Sequence, residues 1–246
     1  MNELVNSIRE KYTSTLDKIA VAAKKSGRDS EAVKLVVVTK TQPMEIVQAA
    51  IEAGARILGE NYPEEGAMKI QFLQSFSAVE WHMIGHVQSR KAQIVAQNYD
   101  YVHSLDGLKL ATRLNRFCEE ANRALPVLLE FNVGGEESKS GWNAVDEANW
   151  PALLTDVAGV LALPRLKIRG LMTMPPLGTS AEASRPYFQK LRRLQGYLKS
   201  QFPQVEFSEL SMGTSSDFEV AVEEGATLVR VGTAIVGARN YLPEAK

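Results

Sequence analysis

Apolar positions along the chain recur with two alternating periods. Leu4, Val5, Ile8, Tyr12, Leu16, Ile19 and Ala23 fall at helical spacing, and Gly27 ends the series. The run Leu35-Val36-Val37-Val38 follows, apolar throughout and mostly β-branched, which is how a strand covered on both faces reads. It ends at Thr39-Lys40. A second helical series has Pro43 near its first turn, Ile46, Val47, Ala50 and Ile51 on one side, and Gly54 at its close. The same alternation predicts strands over 56–58, 79–84, 99–103, 127–132, 168–172, 206–210 and 228–231. Helices are predicted over 108–121, 150–160, 186–201 and 217–224. Strand–helix alternation implies parallel strands joined by right-handed crossovers. Eight such units within 246 residues predict an α/β fold, a (β/α)8 TIM barrel preceded by an extra helix. The competing architecture is an open doubly wound sheet, and it is disfavoured because no Gly-x-Gly-x-x-Gly follows the first strand.

No Pro/Ser-rich linker or composition shift interrupts the pattern, so residues 1–246 read as a single domain. Two stretches read as loops within it. One is the polar, glycine-rich segment 134–141, a candidate mobile lid, and the other begins at Pro175-Pro176 and continues through 177–178. Composition narrows the class further. Hydrophobic residues make up 45% of the chain, enough for one large core, which excludes a disordered or disulfide-stapled chain. A net charge of −1 gives no basic footprint for nucleic acid. The single cysteine, Cys118, cannot form an intramolecular disulfide or a cysteine-rich zinc site, and it fits a reducing cytoplasm. No apolar run reaches the length of about 18 residues that spans a membrane, and the N-terminus has no apolar signal core.

Three places carry candidate chemistry. Lys40 ends the first strand, and that end of each barrel strand lines the active site. An amine beside an apolar strand loses hydration, which favours its neutral, nucleophilic form, able to condense with an aldehyde. The competing reading is a strand-edge lysine that reaches water. The stretch Ser211-Met212-Gly213-Thr214-Ser215-Ser216-Asp217 is expected to follow the seventh strand and open a helix. It reads either as an anion cradle or as an N-cap made by Ser215 or Ser216. Arg230-Val231-Gly232-Thr233 ends the eighth strand, and barrels often bind phosphate through the loops after strands seven and eight. An inward Arg230 would need a partner, since a lone buried guanidinium is costly. Together the three describe a site for a phosphorylated aldehyde. His82, His86 and His103 are not assigned to it, and no metal site is expected.

The chain resembles the pyridoxal-phosphate homeostasis protein family. The resemblance rests on Val36-Val37-Val38-Thr39-Lys40, Gly59-Glu60-Asn61-Tyr62 and His82-Met83-Ile84-Gly85-His86-Val87-Gln88. It continues through Asn132-Val133 with Glu136, Lys139 and Gly141, then Gly170-Leu171-Met172-Thr173-Met174, Ser211-Met212-Gly213 with Asp217, and Arg230-Val231-Gly232-Thr233-Ala234-Ile235. Order and spacing fit over nearly the whole length. Departures are Thr214, where methionine is usual, and Val87 and Arg90, where leucine and asparagine are common.

The resemblance implies a barrel like the N-terminal domain of alanine racemase. It implies pyridoxal 5′-phosphate held as a Schiff base on Lys40, with Ser211, Met212, Gly213, Gly232 and Thr233 around the phosphate. Thr214 would add a donor, Arg230 would face the pyridine nitrogen, and Asn61 would lie near the ring. It further implies a role in vitamin B6 and amino-acid homeostasis with little turnover, and apo pyridoxal-phosphate enzymes as recipients. An arginine beside the ring weakens the electron sink. A chain ending at Lys246 is expected to lack the second domain that completes a racemase. The alternatives are an amino-acid racemase and a Schiff-base aldolase. A lone, near-neutral barrel is expected to be a monomer.

Overall fold

A computed structural model describes residues 2–176 and 180–238; the 177–178 part of the second predicted loop lies outside the described residues. The helix α1 (Asn2–Lys25) comes first, burying Val5, Ile8, Ile19, Ala22 and Ala23. The strands are β1 (Lys34–Val38), β2 (Ile57–Glu60), β3 (Glu80–Met83), β4 (Tyr101–Leu105), β5 (Leu125–Asn132), β6 (Trp142–Asn143), β7 (Leu166–Met172), β8 (Glu209–Thr214) and β9 (Leu228–Val231). Their order is β4-β3-β2-β1-β9-β8-β7-β5-β6, and β4 also pairs with β5. That pairing closes eight parallel strands into a barrel, with the two-residue β6 attached to β5 outside the ring. Closure leaves no open edge within the ring. The barrel and its preceding helix are therefore those expected from the alternation.

The helices between the strands are α2 (Met44–Ala53), α3 (Pro63–Phe72), α4 (Ala92–Asn98), α5 (Leu108–Glu120), α6 (Trp150–Leu161), α7 (Ala181–Gln201), α8 (Phe218–Glu223) and α9 (Thr233–Val236). Gly54 ends α2 at φ +121°, a backbone conformation that glycine adopts without a Cβ penalty. One apolar cluster runs from Val5 in α1 to Val236 in α9 and fills the space between the ring and its helices. A second, smaller one, Val36, Tyr101, Leu128, Met172 and Leu228, lies in the barrel interior.

Two elements lie further along than predicted. The fourth strand, predicted over 99–103, is Tyr101–Leu105. The seventh ring strand was expected over 206–210 and is Glu209–Thr214. Phe207 sits at φ +40°, which breaks extended backbone just before it. Ser211 to Thr214 therefore belong to the strand rather than to a loop after it. The N-cap reading of Ser215 or Ser216 is also corrected. The cap position of α8 is Asp217, whose carboxylate accepts from the Thr214 N–H at 2.7 Å.

Candidate functional site

The C-terminal ends of the strands open onto one cavity of about 420 Å³, within the size range of small-molecule sites. Its wall includes Lys40, Asn61, Thr214, Arg230, Gly232 and Thr233. Six residues read from the sequence thus converge on one space. Ser211, Met212 and Gly213 do not line it. Ser211 is buried beneath, Met212 packs in the outer core, and Gly213, at φ +91°, is so close to α8 that an added Cβ would lie 2.5 Å from the Ala221 Cβ. The reason is that all three lie within β8 rather than in a loop after it: side chains alternate along the strand, Ser211 turning to Arg230 inside the barrel and Met212 to the outer core.

The chain on both sides of Lys40 is pinned. Thr39 donates its hydroxyl to Glu60 Oε1 at 2.6 Å. Buried Lys69 donates to the Thr39 carbonyl at 2.7 Å, to Glu60 Oε1 at 2.9 Å and to Glu65 Oε1 at 2.6 Å. Glu65 Oε1 also accepts the Thr41 N–H at 2.7 Å. Thr41 sits at φ +60°, a strained conformation for a β-branched residue, so these contacts hold it against its own preference. Burial pushes the Glu60 carboxyl up, and Lys69 with the Thr39 hydroxyl pulls it back.

Beside β1, after its neighbours β9 and β8, Ser215 and Ser216 join Thr214, Gly232 and Thr233 on a hydroxyl-rich rim. The Gly232 N–H donates to Ser215 Oγ at 3.1 Å, tying the segment after β8 to the end of β9. A Cβ on Gly232 would lie 3.1 Å from the Val38 carbonyl oxygen, a tight contact that would press on the end of β1. Arg230 points inward and is 4% exposed. Its Nη1 donates to Ser211 Oγ, and its Nη2 donates to the Thr173 carbonyl at 3.0 Å. The partner that the sequence required is thus a hydroxyl and a carbonyl. Burial lowers this guanidinium to about 10, opposed by Asp217 and Glu130.

Sequence reasoning assigned no role to the rest of the wall, and it missed Glu130 altogether. Glu130, on β5, is 7% exposed and lines the cavity, and its Oε2 has no hydrogen-bond partner among the described residues. Burial, with help from Asp106, raises its carboxyl to about 7, against Arg230 and Lys139. His86 also lines the cavity, its Nδ1 lying 2.8 Å from Asp106 Oδ2 and 3.0 Å from Ser140 Oγ. Ser138, Lys139 and Ser140 come from the glycine-rich loop that the sequence had marked. Asn132 holds that loop, accepting from the Gly135 N–H at 2.8 Å and donating to the Glu136 carbonyl at 2.9 Å. Glu130 falls within an apolar strand, Val-Leu-Leu-Glu-Phe, and a carboxyl set in such a run was the one signal that could have found it. Among the described residues no group of histidines, cysteines and carboxylates could hold a metal ion. Among them, too, no helix is long and apolar enough to cross a membrane.

The donor set fits a phosphorylated aromatic aldehyde. An amine, a cation and a hydroxyl rim meet across apolar walls at Val38, Ile84 and Met172. Comparison with known proteins agrees. The profile of the alanine racemase N-terminal domain matches residues 15–240. The pyridoxal phosphate homeostasis protein of Vibrio alginolyticus is 40% identical, covering 96% of this chain and 100% of that one. That of Escherichia coli K12 is 38% identical over 96% and 99%. The structure of PipY from Synechococcus elongatus with pyridoxal phosphate bound is 34% identical, with TM-score 0.77 and coverage of 94% and 100%. An alanine racemase from Bartonella henselae shares the fold at 17% identity and TM-score 0.66, this chain covering 59% of it.

Proposed function

This chain belongs to the pyridoxal phosphate homeostasis protein family, and from that premise we propose that it binds pyridoxal 5′-phosphate and serves vitamin B6 and amino-acid homeostasis. The observation that carries the reading is the convergence of Lys40, Arg230 and the Thr214–Gly232–Thr233 rim on one cavity. When bound, the cofactor supplies an aldehyde that condenses reversibly with a primary amine. Lys40 is the amine at the end of β1, and the Thr39 and Thr41 anchors hold its backbone. The rim hydroxyls and the backbone at Gly232 are suited to the phosphate. Val38, Ile84 and Met172 would offer a bound ring apolar contact. Arg230 places a cation on the floor, where it disfavours protonation of a nearby pyridine nitrogen. A cofactor so held is a poor electron sink, which fits storage and delivery better than rapid turnover. Apo enzymes that need the cofactor are the recipients this reading implies, and the protein would act in the cytoplasm as a monomer.

Borohydride reduction of protein mixed with pyridoxal phosphate tests the reading. Mass mapping is expected to find the reduced adduct on the peptide carrying Lys40, and Lys40→Ala is expected to abolish it together with the visible absorbance. An adduct that persists in that variant, for example on Lys139, would remove Lys40 from its assigned role. Racemisation of an amino acid at about 1 s⁻¹ or faster, the rate of ordinary enzymes, would favour the racemase alternative.

A further inference from the structure

Beneath the cavity floor a row of polar side chains crosses the barrel interior. Arg230 on β9 touches Ser211 on β8 through Nη1 and Oγ. Ser211 Oγ lies 2.8 Å from His103 Nδ1 on β4. His103 Nε2 lies 2.9 Å from His82 Nδ1 on β3, and His82 Nε2 lies 3.3 Å from Glu80 Oε2 at the start of β3. Ser211 and His103 are fully buried and His82 is 1% exposed, whereas the Glu80 side chain is 61% exposed. The row therefore runs from the cavity to solvent at the opposite end of the barrel.

The end groups set the direction of every hydrogen bond between them. A guanidinium only donates, so Ser211 Oγ accepts from Arg230. The buried Ser211 hydroxyl must place its own proton, and His103 Nδ1 is the acceptor in reach. His103 Nδ1 is then bare. In the neutral ring the proton sits on Nε2, which donates to His82 Nδ1. His82 in turn carries its proton on Nε2 and donates to the Glu80 carboxylate. The opposite direction would need a protonated carboxyl at an exposed position and would crowd two donors onto Ser211. Both rings are neutral, since burial holds His82 below its usual range and His103 well below it, Arg230 adding to the effect at His103.

We propose that Ser211, His103, His82 and Glu80 are positioning residues for Arg230, a one-way donor chain that fixes the guanidinium against the cavity floor and locks both histidines as Nε2–H tautomers. The chain is not a proton path, because its cavity end is a guanidinium that stays charged. Other groups facing the rings leave the assignment intact. Tyr101 donates its hydroxyl to Glu209, which also pairs with Lys34 at 3.2 Å, so neither competes for a ring nitrogen. The inference rests on the proposed function only in what Arg230 is held for.

Two measurements test it. Long-range 15N–1H correlation spectra of the ligand-free protein at neutral pH should show both rings neutral with the proton on Nε2. A His103 proton on Nδ1, or a charged ring, overturns the chain whatever the protein binds. Titration with pyridoxal phosphate, followed by absorbance, reads the consequence. Ser211→Ala should raise the dissociation constant about tenfold, the effect of one unpaired buried donor, and release the His103 tautomer. Ser211→Thr, which keeps the hydroxyl, should restore both. An unchanged constant in Ser211→Ala overturns the positioning role. No binding by the unsubstituted protein sinks the functional reading instead, and the spectra still decide the chain.

Discussion

Glu130 concentrates the electrostatics of the site at one residue. Its carboxyl is raised from 4.5 to about 7, chiefly by burial. The folded protein therefore holds a proton that the unfolded chain releases between those values. Stability from this group is fully present below about 4.5 and is lost as pH rises through 7, up to about 3 kcal/mol at 1.36 per unit. Glu130→Gln keeps the shape and cannot ionise. Urea midpoints measured from pH 5 to 8 should fall less steeply in that variant than in the parent. Equal slopes would show that Glu130 is not buried as described. Lys69 is the second decisive residue, because it ties Thr39, Glu60 and Glu65 together beside Lys40. Lys69→Met leaves Glu60 buried without its cation, and removing one partner of such a pair costs about 3–5 kcal/mol. A thermal midpoint within two or three degrees of the parent would contradict that placement.

At the scale of elements, close strand contacts set what the ring tolerates. Gly170 on β7 lies against β8 so tightly that an added Cβ would come within 1.8 Å of the Glu209 carbonyl oxygen. A backbone atom cannot step aside as a side-chain tip does. Gly170→Ala is therefore expected to cost more than about 3 kcal/mol, in the range of severe core substitutions. Chemical denaturation checks it. A loss below about 1 kcal/mol would mean that the two strands part easily. The same pair of strands shows where periodicity runs out. The sequence placed a strand over 206–210, where Glu206, Ser208 and Glu209 make the pattern weak, and the element starts at Glu209. By contrast, β1 was legible because four consecutive apolar residues leave no alternative face.

For the whole molecule, closure makes the strands interdependent. β4 pairs with β5 across the ring, and one apolar cluster extends from α1 to α9. Heat or denaturant should then unfold the barrel in one cooperative step. Trp81 lies on β3 in the ring, and Trp142 on β6 and Trp150 in α6 lie outside it, so fluorescence samples both the ring and its outer layer. Its transition should superimpose on that of far-ultraviolet circular dichroism. Separate midpoints would mean that the halves fold independently.

By itself the amino-acid order determined the alternation of strand and helix, the barrel that follows from it, and the placing of Lys40, Gly232 and Thr233 at strand ends. These are local properties: spacing sets which side of an element a residue occupies, and glycine or proline marks where the element stops. Only the tertiary structure decided that Ser211 meets Arg230 and His103, that Glu130 is buried with an oxygen unpaired among the described residues, and that Glu60, Glu65 and Lys69 close around Thr39 and Thr41. Those partners are far apart in the chain. Which of them meet depends on the stagger of neighbouring strands when the ring closes, and a shift of one residue in a strand turns each side chain to the other face.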